Sequence, residues 1–269
     1  MIRNAAPAFA PRYVQVVVLA ALLTLAALAW GYVIWLAAPM SAPSDPAMSS
    51  MPQMDGMMAP GFSSWTFAHF LFIFTMWSVM MVGMMIPSVT PMVLIYARVT
   101  QQGAAPDGLL APAGWFATGY LIAWSLFAAF ASLAQWGLET LALLSPMMAS
   151  TNHKFGGAVL IAAGVYQWLP IKDGCLGQCR EPLAFIQRHG GFQTSAPGSL
   201  RLGLLHGKYC VGCCWALMAI LFVVGVMNLL WIAILMIVVL LEKVVPGGRY
   251  FSRFTGGVAL AAGLWMLKP

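Results

Sequence analysis

The stretch KYCVGCCWALM, Lys208 to Met218, puts three thiols within five residues. On a helix His206, Cys210, Cys214 and Met218 recur every four residues, with Cys213 beside them. One face then carries an imidazole, three thiols and a thioether. Cys175 and Cys179, the other two cysteines of the chain, lie four apart in IKDGCLGQCREPLAFIQRHG. If that stretch is helical or tightly turned, both sulfurs face one site.

Three kinds of chemistry fit five cysteines gathered at one level. They can fill space in a helix bundle, exchange as thiols and disulfides, or hold a soft metal. A disulfide is disfavoured at a cytoplasmic boundary, which is reducing, and five is an odd number. Thiolates suit Cu(I), Zn(II) or an iron–sulfur cluster. Lys208 favours a neighbouring thiolate if its side chain turns towards the sulfurs.

Methionine supplies the second pattern. His69 is followed by Met76, Met80 and Met84 at helical spacing, with Met81 and Met85 repeating the period beside them. Such a stripe serves as adaptable packing between helices or as a thioether path for Cu(I). Upstream, MSSMPQMDGMM places Met48, Met51, Met54, Met57 and Met58 in a segment rich in Pro, Ser and Gly, where core packing is a poor reason for them. A capture loop for Cu(I) and a methionine-biased surface loop both fit.

These residues need elements to hold them, and composition names the class. Apolar residues make up 61% of 269, charged residues 7%, and mean hydropathy is +0.86. Soluble domains carry about one charged residue in four, so the expectation is an all-α, polytopic transmembrane helix bundle. Apolar runs predict seven spans: Val14 to Ala38, Thr66 to Ile86 with an apolar continuation beyond Pro87 and Pro91, Ala113 to Gln135, Phe155 to Leu169, two within Tyr209 to Val245 folded around Gly225 to Asn228, and Phe251 to Leu267. Residues 1–269 then form one transmembrane domain, with a Met-rich outer loop at 39–64 and a Cys-containing cytoplasmic loop at 171–202. With the N-terminus cytoplasmic, eleven of the thirteen basic residues face inward and only Lys154 and Lys268 outward. The net charge of +6 thus reads as topology and not as nucleic-acid binding. Glu242 and Lys243, ending the sixth span, read as an interfacial anchor or local pair.

No GxxxxGK[ST] loop and no GxGxxG turn occurs, which excludes an ATP-driven pump in this single chain. No catalytic residue set stands out either.

The sequence resembles the bacterial integral membrane proteins with domain of unknown function 2182, described as predicted metal-binding. The likeness rests on MWSVMMVGMMIPSVTPM, CLGQCREPLAF, GKYCVGCCWALM, GVMNLLW and EK, and spans Met76 to Lys243. It implies several spans and a metal site, with Cys175, Cys179, Cys210, Cys213 and Cys214 on matching positions. The outer Met-rich loop is not part of that pattern.

The expected function is soft-metal handling in the bacterial inner membrane. Cu(I) is favoured, Zn(II) or an iron–sulfur cluster being the other metals considered, in transport or in delivery to a membrane metalloenzyme. The expected metal-site residues are Cys175, Cys179, His206, Cys210, Cys213, Cys214, Met218, His69, Met76, Met80 and Met84. Expected partners are the lipid bilayer and a membrane metalloenzyme or metallochaperone, and the pattern is compatible with a homo-oligomer. The alternatives are a membrane thiol–disulfide oxidoreductase and a structural subunit with a fixed zinc site.

Overall fold

The computed structural model describes residues 10–41, 66–100, 111–144 and 149–268. The Met-rich residues Met48 to Met58 lie outside them. Helix makes up 86% of the structure and no strand forms among the described residues, so the chain is an all-α bundle. In order the helices are α1 (Ala10–Ser41), α2 (Phe67–Thr100), α3 (Ala111–Thr140), α4 (His153–Tyr166), α5 (Pro170–Arg180), α6 (Pro182–Arg188), α7 (Ala196–Ala219), α8 (Leu221–Val224), α9 (Leu229–Val244) and α10 (Gly248–Met266).

Among the described residues four segments are long and apolar enough to cross a membrane: Tyr13–Ala38, Phe67–Val99, Ala111–Thr140 and Ala196–Val224. The other three expected spans correspond to α4, α9 and α10, of 14, 16 and 19 residues. The chain breaks where expected. Gly225 takes φ +100°, a value that disfavours any side chain, and Asn228 caps α9 by accepting the Trp231 N–H at 3.4 Å.

Helix α2 runs on through Pro87 and Pro91 to Thr100, along the apolar continuation expected beyond the two prolines. Ser88 and Thr90 donate their hydroxyls to the carbonyls of Met85 and Ile86 at 2.9 and 2.8 Å, local bonds of the kind that support a proline-containing helix in an apolar setting.

The larger difference lies in α7. It begins at Ala196 behind Pro197, and not near Tyr209. Arg201, His206 and Lys208 dilute the hydropathy of this stretch, while Leu202 and Gly203 bury against α3. A Cβ at Gly203 would strike the Phe116 carbonyl and one at Gly119 the Leu200 carbonyl, so the α3 and α7 backbones touch. Cys210 is consequently the middle residue of the candidate span Ala196–Val224, four turns from the start of the helix.

Helices pack in the order α1 on α2, α2 on α3, α3 on α7, with α4 paired to α10, α5 laid on α7, and α9 reaching α2 and α10. The segment expected as the 171–202 loop holds two short helices and the start of α7. Lys172, expected among the interfacial basic residues, is 0% exposed and pairs with Glu242 of α9 at 2.8 Å.

Candidate metal centre

Helix α7 buries one face comprising His206, Cys210, Cys213, Cys214 and Met218. Helix α5 sets Cys179 against this face, and the Sγ atoms of Cys179, Cys210 and Cys213 lie within 4.8 Å of one another. A three-sulfur site with metal–sulfur bonds of about 2.3 Å, the zinc–thiolate value, separates its sulfurs by about 4 Å. The trio therefore approaches ligand geometry with no carboxylate in the group. All five cysteines are free thiols.

Cys214 joins through Cys213, their sulfurs 3.1 Å apart, while the Cys213 thiol donates to the Cys210 carbonyl at 3.1 Å. Cys175 stands aside. It is half-buried on α5, close enough to α7 that a Cβ at Gly212 would come within 3.0 Å of its sulfur. Burial pushes the Cys175 thiol up, and the Lys208 ammonium works against that. The hydrogen bond of Cys179 with Cys210, together with burial, holds the Cys179 thiol well above the ordinary range.

Sequence reasoning missed the groups that surround Cys210. The Lys243 ammonium donates to Cys210 Sγ at 2.9 Å and to Ser88 Oγ at 3.0 Å. The Tyr120 hydroxyl lies 3.1 Å from the same sulfur. Glu242 and Lys243 are thus neither an anchor nor a pair. Successive residues on a helix point about 100° apart, so Glu242 turns to α5 and Lys243 to the sulfurs. Lys208, the cation suspected from sequence, is exposed.

His206 sits one turn before Cys210, 3% exposed, its Nδ1 buried without a hydrogen-bond partner. Rings of Phe116, Tyr120 and Phe185 enclose it at 5.8, 5.9 and 5.0 Å between centroids. A buried ring nitrogen left unsatisfied is costly unless it serves a ligand. The donor set of three thiols and a nearby imidazole is soft and suits Cu(I).

Met76, Met80 and Met84 are each 1% exposed on α2, with Met81 and Met85 beside them. Met84 lies one turn from Ser88, and Ser88 shares Lys243 with Cys210, so the methionine stripe approaches the thiol centre through that lysine. Met218 is two turns beyond Cys210 and lines an apolar cavity of ≈ 440 Å³ with Trp77, Trp215 and Phe222. His69 occupies the first turn of α2, where its N–H donates to Thr66 Oγ1 at 3.3 Å; it is not brought to the thiols.

An all-α bundle with membrane-length helices and a three-thiol cluster able to hold a metal ion defines the class. Residues 74–266, most of the chain, match the PpoB2 family, described as a copper chaperone, and the chain belongs to that family. The metal-related character implied by the sequence resemblance holds at that level, and a copper-related role follows. No match was found among curated proteins or among solved structures.

Proposed function

We propose that this chain holds Cu(I) as cargo at Cys179, Cys210 and Cys213 in the bacterial cytoplasmic membrane and delivers it to a membrane metalloenzyme. The observation that carries this reading is the meeting of three sulfurs within 4.8 Å in a member of a copper-chaperone family. Cys214, 3.1 Å from Cys213, and the unpartnered His206 are reserve donors on the same face. The methionine stripe of α2 supplies thioethers between the centre and the end of α2 that carries His69. Seven spans with a cytoplasmic N-terminus agree with the distribution of basic residues. Cys210 is 1% exposed, so water does not compete with its sulfur for the ion.

The test is metal content of the detergent-purified protein under anaerobic, reducing conditions, read by mass spectrometry with sulfur coordination from X-ray absorption. Wild type is expected to hold about one Cu(I) on three sulfurs, and Cys210→Ser with Cys213→Ser to lose it. Retention of zinc in place of copper would favour a fixed structural site. A protein that takes up neither ion but cycles between thiol and disulfide would replace the copper reading with thiol exchange. A triple Met76→Leu, Met80→Leu, Met84→Leu variant is expected to keep its equilibrium copper content and load more slowly.

A further inference from the structure

Cys179 is the one sulfur of the trio that does not come from α7, and α5 has little apolar surface to hold it there. Its buried residues are Lys172 and Leu176 alone. Pro170 and Pro182 bound the helix, and its N-cap, Leu169, makes no side-chain hydrogen bond. α5 lies on α7, and its ties to α9 and α10 are polar: Asp173 pairs with the partly exposed Arg249 and Arg253 of α10 at 3.2 and 3.7 Å, Arg180 donates to the Val245 carbonyl at 2.9 Å, and one ion pair is fully buried. Lys172 Nζ donates to Glu242 Oε2 at 2.8 Å with both side chains buried. Glu242 Oε1 accepts from Gln167 Nε2 at 3.1 Å and from Thr255 Oγ1 at 3.3 Å, and Ser252 Oγ donates to Gln167 Oε1 at 3.2 Å. One carboxylate thereby ties the α4–α5 junction, α5, α9 and α10 together. Lys172 and Cys179 are seven residues apart, two turns along one face of α5.

We propose that the Lys172–Glu242 ion pair is a pin that places Cys179 in the copper site, making one of the three sulfurs detachable. This rests on the copper reading above. An ion pair is suited to the task because its geometry is directional: it fixes the register of α5 on α9 where a sparse apolar contact would let the helix slide. With the pin made, α5 supplies the third sulfur. With it broken, α5 lifts and the ion remains on Cys210 and Cys213. A thiolate or thioether of the receiving protein then forms a copper–sulfur bond in place of the one to Cys179 that broke when α5 lifted. Copper stays Cu(I) throughout, and no electron moves.

The pin is tested on full-length protein in detergent with Lys172→Met, Glu242→Gln and the exchanged pair Lys172→Glu with Glu242→Lys. In metal-free protein, peptide-resolved maleimide labelling should rise about tenfold or more at Cys175 and Cys179 in the single variants and stay unchanged at Cys210, Cys213 and Cys214. In Cu(I)-loaded protein the sulfur count should fall from three to two and affinity by about 10- to 100-fold, as for groups that orient a metal ligand. Adding Cys179→Ser to Lys172→Met should cost nothing further, and the exchanged pair should restore the third sulfur. Single variants that keep three sulfurs and native Cys179 labelling overturn the pin. So does labelling that rises at all five thiols together, which marks general unfolding. A wild type that takes no Cu(I) overturns the copper reading instead, and the labelling of metal-free protein still decides the pin.

Discussion

Lys243 gives the sharpest separation between building the fold and holding the cargo. Its ammonium lies 2.9 Å from Cys210 Sγ and 3.0 Å from Ser88 Oγ, and among the described residues no carboxylate pairs with it. Lys243→Met preserves the stem and removes the cation. Nothing is orphaned, because Cys210 keeps the Tyr120 hydroxyl at 3.1 Å and Ser88 keeps the Met85 carbonyl at 2.9 Å. The loss to a copper–thiolate centre is then one charge-assisted hydrogen bond, about 1.5–3 kcal/mol. That is roughly 10- to 150-fold in Cu(I) affinity. Stability of the metal-free fold moves the other way, since a buried ammonium without a carboxylate is costly to desolvate and Met is not. Thermal stability should hold or rise. Anaerobic competition titration with a chromophoric Cu(I) chelator, paired with a thermal melt, reads both. Native copper affinity in a well-folded Lys243→Met protein would refute the reasoning, and so would a collapse of the melt.

Two further outcomes follow from contacts already described. Gly203→Ala puts a methyl group against the Phe116 backbone, which has no flexible end to yield. Overpacking costs about 1–3 kcal/mol against a helix-propensity gain of about 1 kcal/mol, so this variant should melt lower, whereas Gly31→Ala, with nothing within 4 Å, should melt no lower than wild type. At Cys175 burial raises the thiol pKa, so only a small thiolate fraction exists at neutral pH and alkylation should accelerate as pH climbs into and past the ordinary thiol range. Lys208→Gln removes the opposing charge. It should slow Cys175 alkylation at neutral pH and leave the rate in strong alkali unchanged, and equal rates at neutral pH would contradict this.

The all-α class was readable because composition alone forbids a soluble surface, and the break at Gly225 to Asn228 because a run longer than one span must turn. The sulfur face of α7 was readable too, since i, i+4 spacing is a local property. Where α7 begins was not. Hydropathy marks where a helix becomes apolar, whereas α7 starts where α3 offers a backbone surface to Gly203, and that contact is 87 residues distant in sequence. The same limit hid Lys243. As one of two adjacent opposite charges at a span end it has the pattern of an anchor, and only the packing of α9 between α2 and α5 sends its neighbour one way and it the other.

On the proposed delivery of Cu(I), the arrangement around Cys210 lets one site bind firmly and still let go. Ser88 of α2, Tyr120 of α3 and Lys243 of α9 surround Cys210 from three long helices packed together, so this sulfur and Cys213 have little freedom to move. Cys179 stands on an eleven-residue helix whose one fully buried ion pair is Lys172–Glu242. Rigid donors fix the identity of the cargo, because thiols that cannot rearrange favour a soft ion of low coordination number. A movable donor sets the ease of release, because exchange at such an ion needs one bond to yield before the next is complete. A carrier with all three sulfurs on α7 would bind as well and transfer slowly. Separating them between two helices divides holding from handing over within a single cluster.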